Sequence, residues 1–174
     1  AGDADTRADG VWTGEPGWPC VVLTADCLPV LLARQDGSAV AAVHAGWRGL
    51  LNGVLENAVV AMGGHKAGLM AWLGPAIGAC CFEVCDEVRA AFLSAAERAG
   101  ASPMATADAF VTVPGNSGKS LMDIYAVARL RLMAIGVDAV YGGGQCTVCD
   151  STHFYSYRRD GVTGRMASIV YLKT

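Results

Sequence analysis

Histidine is scarce in this sequence: His44, His65 and His153 are all that 174 residues provide. A site built from many imidazoles is therefore excluded. No apolar run approaches the ~20 residues of a membrane helix, so no membrane partner is expected. Basic excess is missing too, with 13 Lys and Arg against 16 Asp and Glu and a formal net charge of −3. Nucleic-acid binding requires neutralised phosphates, and this balance offers no basic surface for it. There is no cationic leader followed by an apolar stretch, and the first residue is Ala1 rather than methionine. The expectation is a cytoplasmic protein, either processed or cut from something longer.

Apolar side chains and cysteine are the abundant materials. Hydrophobic residues make up 53% of the chain and charged residues only 17%, enough for one domain, 1–174, with a sizeable core. Seven cysteines are an odd number for a disulfide scaffold and read better as reduced thiols, some of them small buried hydrophobes.

Along the chain, residues 1–19 read as loop. "CVVLTA" reads as a strand, interrupted by Asp26 and Cys27, and "LPVLLAR" continues the apolar run. "QDGS" is a turn, and "AVAAVHAG" returns as the second arm of a hairpin. Apolar residues from Leu50 to Met62 recur at helical spacing, which predicts a helix over 49–62. "LMAWLGPAIG" is a third strand running into a turn, and "EVCDEVRAAFLSAAERAG" a helix stopped at Gly100. "LMDIYAVARLRLMAIGV" is a third helix, and the residues around Asp160 and Gly161 form a closing hairpin. Strands and helices mix without strict alternation. That favours an α/β fold of the α+β type, a layered sandwich of mixed sheet with helices packed on it.

Cys27 and His44 are the sharpest pair. They flank adjacent strands joined by a short turn and can meet in space. A thiol beside an imidazole suits a nucleophile or a metal site, with zinc or copper the ions for sulfur and nitrogen donors. In "HAGWRG", Arg48 offers a guanidinium fork to an anion. Gly49 precedes the expected helix, whose free N–H groups would add to it. Trp47 is either a stacking wall or core. Tyr155, Tyr157 and Arg159 would share one face of the closing hairpin, suited to a planar polar ligand or simply solvated. Cys81 and Cys85 are four residues apart, and Cys146 and Cys149 form a CxxC. Without a zinc-ribbon pattern these read as ordinary cysteines, with Cys80 and Cys81 in a turn near the active site. His65 reads as exposed, and His153 stands near the CxxC.

Four ordered blocks, "TADCLPVLL", "AAVHAGWRGL", "LGPAIGACCFEV" and "FYSYRRDGVTGRMAS", together resemble the YfiH family, also called the laccase-domain or polyphenol-oxidase family. The resemblance covers essentially the whole chain. It implies a layered α/β sandwich distantly like the catalytic core of cytotoxic necrotizing factor. It also implies a zinc site of two histidines and one cysteine, with Cys27 and His44 matching two of the three. The family's other histidine lies in a "VHG"-like segment upstream of these blocks, so the chain resembles the family without its N-terminal part.

The activities the resemblance implies differ in kind. One is a zinc-dependent purine nucleoside enzyme, acting by phosphorolysis of adenosine, inosine or methylthioadenosine and by adenosine deamination. Its small-molecule partners would be the nucleoside and phosphate. In that case Cys27 and His44 hold the metal, Asp26 supports them or carries a proton, and Arg48, Trp47 and Gly49 contact substrate. The second is a copper-dependent polyphenol oxidase, for which three histidines are few. The third is a Cys–His hydrolase or amidase with a peptidoglycan-editing role.

Overall fold

A computed structural model describes residues 8–63, 68–98, 101–113, 115 and 118–173. Its centre is a five-stranded mixed sheet in the order β1-β4-β3-β5-β9, formed by β1 (Gly10–Thr13), β3 (Leu28–Arg34), β4 (Val40–Ala45), β5 (Leu69–Leu73) and β9 (Ala139–Gly142). All neighbours are antiparallel except β5 and β9. A ribbon of β2 (Cys20–Thr24) and β10 (Met166–Val170) packs on one face, and a second small sheet has the order β6-β8-β7 (Glu83–Cys85, Lys119–Met122, Phe110–Thr112).

The apolar runs of β3 and β4 are continuous because both faces of the sheet are covered. Leu28, Val30 and Leu32 alternate with Leu31 and Ala33, and Ala41 and Val43 with Val40 and Ala42. The first set packs on α1 (Trp47–Leu51), α2 (Val54–Ala61) and α5 (Ile124–Ala134) through Leu50, Leu55, Val59, Val127 and Leu132. The second meets Cys20, Val22 and Val170 of the ribbon. The small sheet carries α3 (Asp86–Arg98) and α4 (Pro103–Asp108), with Phe92 and Phe110 in ring contact at 5.8 Å.

The layered mixed-sheet expectation holds, and the β3–β4 hairpin forms as the sequence predicts. Several local expectations do not hold. The single helix over 49–62 is two helices, because Asn52 and Gly53 interrupt it and Gly53 takes the left-handed conformation with φ 82°. Glu83–Cys85 and Leu121–Met122 are strand residues rather than first turns of helices; α5 starts only after Asp123, whose carboxylate caps Ala126 N–H at 3.0 Å. Residues 10–13 are not loop but an edge strand on β4.

The closing hairpin is replaced by one helical turn, α6 (Tyr157–Asp160), capped by the Ser156 hydroxyl, and β10 pairs with β2. Strand alternation therefore does not govern Tyr155, Tyr157 and Arg159. The "CVVLTA" and "LPVLLAR" segments are not one run but belong to different sheets, separated by Asp26 with φ 84°. His65 and Gly100 lie outside the described residues.

Candidate active site

The site grows from two turns at one end of the sheet. Leu28 at the start of β3 pairs with Ala45 at the end of β4. Cys27 and Gly46, the next residues outward, therefore face each other. A Cβ at Gly46 would sit 3.2 Å from Cys27 Sγ and 3.9 Å from His44 Cε1, so glycine is what lets sulfur and imidazole approach here. The hydrogen bond to Cys27 is the main reason His44 stays protonated up to about pH 9, against an ordinary 6.5; desolvation opposes it and Asp9 assists. Asp9 Oδ1 lies 3.2 Å from His44 Nδ1. This carboxylate–imidazole contact orients the ring and leaves Nε2 for a metal or a proton.

Asp26 is buried, and both its oxygens are engaged. Thr147 Oγ1 donates to one and the Arg158 backbone N–H to the other, each at 2.6 Å. Its carbonyl accepts Ile77 N–H at 2.9 Å. Those contacts make it the knot between the β2–β3 turn, the 74–82 segment and the 143–158 segment.

Around this knot opens a cleft of about 530 Å³. Cys27, His44, Trp47 and Arg48 line it together with Phe82, Tyr157, Arg158 and Arg165. The Arg48 guanidinium stacks on Trp47 at 4.5 Å. Arg158 lies over Phe82 at 5.7 Å and reaches the carbonyls of Cys81 and Glu83. Arg165 Nη1 donates to the Thr163 and Gly164 carbonyls, each at 3.0 Å. Three guanidiniums converging on one cleft suit an anion, and the aromatic groups beside them suit a flat ligand.

Most of the residues singled out from sequence meet here: Asp26, Cys27, His44, Trp47 and Arg48 all line the cleft. Gly49 does not line it. It lies inside α1 rather than before it, and a Cβ there would be 3.3 Å from Val54 Cγ1, so it serves packing. The helix begins at Trp47 and is five residues long. His153 is exposed and pairs with Asp150. Nothing local in the sequence separates Arg165 from a solvated loop arginine. Asp9 sits in a segment read as loop, and only the pairing of β1 with β4 brings it to His44.

The cysteines read as ordinary are a correction. Cys80, Cys81, Cys146 and Cys149 gather with their sulfurs all within 4.8 Å of one another, while Cys85 stands apart on β6. Pairing of Ala76 with Cys146 joins the two turns that carry them.

The sequence model of the family described as "Multi-copper polyphenol oxidoreductase laccase" matches residues 1–173. The chain belongs to this family. Among its relatives, a Pseudomonas aeruginosa protein named purine nucleoside phosphorylase is 50% identical over 167 residues, covering 96% of this chain and 66% of the relative. An Escherichia coli protein named purine nucleoside phosphorylase YfiH is 47% identical over 169 residues, covering 97% and 65%. The crystal structure of a Neisseria meningitidis protein superposes with a TM-score of 0.87 at 49% identity, covering 96% of this chain and 65% of that one. This family member thus spans just under two thirds of the length of the curated relatives it matches. The layered fold is shared with a Bacillus licheniformis YfiH protein, at TM-score 0.82 and 31% identity.

The family's implied metal can be tested against the donors present. Cys27 and His44 supply a soft sulfur and a nitrogen oriented by a carboxylate, and they fit zinc or copper. No third donor joins them among the described residues.

Proposed function

We propose that the cleft binds a purine nucleoside with phosphate and cleaves the N-glycosidic bond by phosphorolysis. The observation that carries this reading is the meeting of Arg48, Arg158 and Arg165 with the Cys27–His44 pair in one cleft. The names of the relatives support it.

In the reaction a phosphate oxygen forms a bond to ribose C1′ as the bond from C1′ to the purine breaks, and its electron pair leaves with the base. The guanidiniums hold the phosphate and offset its charge. Phe82, Tyr157 and Trp47 provide flat apolar walls for purine and sugar. Asp26 acts as a positioning residue, since both its oxygens are already bonded.

Cys27 and His44 would hold the metal, with a third donor from outside the described residues. When bound, zinc or copper supplies Lewis acidity and an activated water, the nucleophile that deamination of adenosine requires. Adenosine, inosine and methylthioadenosine share a purine joined to C1′ of the sugar, so all three are proposed substrates. Seven cysteines with no disulfide among them suit the reducing cytoplasm.

The test is release of hypoxanthine from inosine at varied phosphate. Arg48→Ala should raise the phosphate KM about 10- to 100-fold, the equivalent of losing one charged hydrogen bond. Release independent of phosphate would refute the reading.

One observation favours a second reading. The hydrogen-bonded Cys27–His44 pair also suits a cysteine hydrolase or amidase, with peptidoglycan as substrate. Inactivation by iodoacetamide at Cys27, with activity indifferent to chelators, would favour it. Copper-dependent phenol oxidation draws on the family description, yet this cleft brings one histidine and one cysteine where a blue-copper centre takes two histidines and a cysteine.

A further inference from the structure

Two short turns far apart in sequence each present a pair of thiols to the other. Cys80 and Cys81 follow Gly78 in the segment between β5 and β6. Cys146 and Cys149 form the CxxC between β9 and α6. Cys149 Sγ lies 3.4 Å from Cys80 Sγ and 3.5 Å from Cys81 Sγ, and all four sulfurs fall within 4.8 Å of one another. None is bonded to another as a disulfide. A tetrahedral ion with Zn–S bonds of about 2.3 Å needs sulfurs about 3.8 Å apart, and the quartet is already near that spacing.

We propose that Cys80, Cys81, Cys146 and Cys149 form a structural zinc site of four thiolates, separate from the Cys27–His44 site.

Three further features fit a thiolate site. The Gly78 N–H donates to Cys146 Sγ at 3.3 Å, a bond that favours ionised sulfur. A Cβ at Gly78 would stand 2.9 Å from Cys146 Cβ, so only glycine leaves this approach open. Two guanidiniums brace the turns: Arg158 reaches the Cys81 carbonyl at 3.3 Å, and Arg159 reaches the Thr147 carbonyl at 2.8 Å. The donor set is sulfur alone, which selects a soft ion over magnesium or calcium. With every sulfur within 4.8 Å of the others, one central ion fits better than a cluster of several.

The site would act on the cleft without touching substrate. Thr147 lies inside the CxxC and binds Asp26, while Ile77 and Arg158, which also bind Asp26, adjoin the other thiol pair. Clamping the two turns together fixes all three donors to Asp26, and through it the turn carrying Cys27. The ion is thus a buttress for the cleft wall. Its binding would displace protons from the thiols, so affinity should fall in acid.

The experiment separates the two metal sites by carrying Cys27→Ser and His44→Ala together, which leaves the quartet intact. This protein should retain one zinc per chain by elemental analysis. With cobalt in place of zinc it should show the sulfur-to-cobalt charge-transfer and tetrahedral d–d bands of a thiolate site. Cys146→Ser with Cys149→Ser should abolish both signals. To separate metal loss from unfolding of that variant, the four cysteines are also alkylated in the unmutated protein and mapped by mass spectrometry. Zinc should protect all four, and a chelator should expose them. Iron instead of zinc, a disulfide within the quartet under reducing purification, or no metal with four freely alkylated thiols would overturn the proposal.

Discussion

Asp26 and Thr147 stand 121 positions apart in the chain and are joined by a 2.6 Å hydrogen bond. It ties the turn that carries Cys27 to the segment that carries Cys146 and Cys149. The backbone at Asp26 is itself unusual for a side-chain-bearing residue, with φ 84°. Asn and Asp tolerate this region far better than other non-glycine residues.

Two substitutions at Asp26 should therefore differ. Asp26→Ala loses both acceptors and adds backbone strain, a combined cost of about 3 kcal/mol. Asp26→Asn keeps the conformation and one acceptor and should cost about half as much. Denaturant unfolding of the two variants measures this, and equal losses would show that neither the turn conformation nor the acceptor that asparagine retains contributes.

His44 should titrate late in the metal-free protein. Its folded pKa is raised from 6.5 to about 9, chiefly by Cys27, so the protonated form is the favoured one in the fold. The stability this pair contributes is then fully present below pH 6.5 and fades as pH rises through about 9. An NMR titration of the imidazole should give a midpoint near the upper value, and Cys27→Ser should move it back toward the ordinary one. An unchanged midpoint in that variant would mean Asp9 alone sets it.

Arg165 should behave differently from the residues around the sulfur–imidazole pair. Its loss removes charge from the cleft while leaving Cys27 and His44 in place. Arg165→Ala is expected to raise the phosphate KM about tenfold, with a smaller change in nucleoside KM. Steady-state kinetics with each substrate varied in turn would show it. A selective effect on the nucleoside would assign Arg165 to the sugar or base instead.

Tyr125 is a clasp between the two turns that bear the thiol quartet. Its buried hydroxyl accepts the Ala76 N–H at 2.8 Å and lies 2.8 Å from the Gln145 carbonyl. Burial holds the phenol up to about 12, so it remains a neutral donor. Tyr125→Phe leaves the Ala76 N–H buried without a partner and should cost about 1–3 kcal/mol in thermal unfolding. A neutral result would mean that water replaces the hydroxyl.

Much of the site was legible in the sequence for a local reason. Cys27 and His44 interrupt apolar runs at the rims of two strands joined by a short turn, so hairpin pairing alone brings them together. Arg48 follows within four residues. Asp9, Thr147, Arg158 and Arg165 were illegible as partners, because each is brought to the site by distant segments of the chain. The sheet order brings β1 to β4, and the Ala76–Cys146 bridge helps bring the CxxC to the other thiols. The misread helix over 49–62 shows the opposite failure. Its apolar period was real on both sides of the break, but Gly53 in the left-handed region ended one helix and began another. At the C-terminus, Ser156 capping a single helical turn defeated the strand alternation that the tyrosines and arginines suggested.

The most direct measurement is the identity of the sugar released from inosine by the protein in the presence of phosphate. Phosphorolysis should yield ribose 1-phosphate in amounts equal to hypoxanthine, dependent on phosphate and lost in Cys27→Ser. Free ribose formed without phosphate, or full activity in Cys27→Ser, would contradict assignment of this cleft as a phosphorolytic nucleoside site.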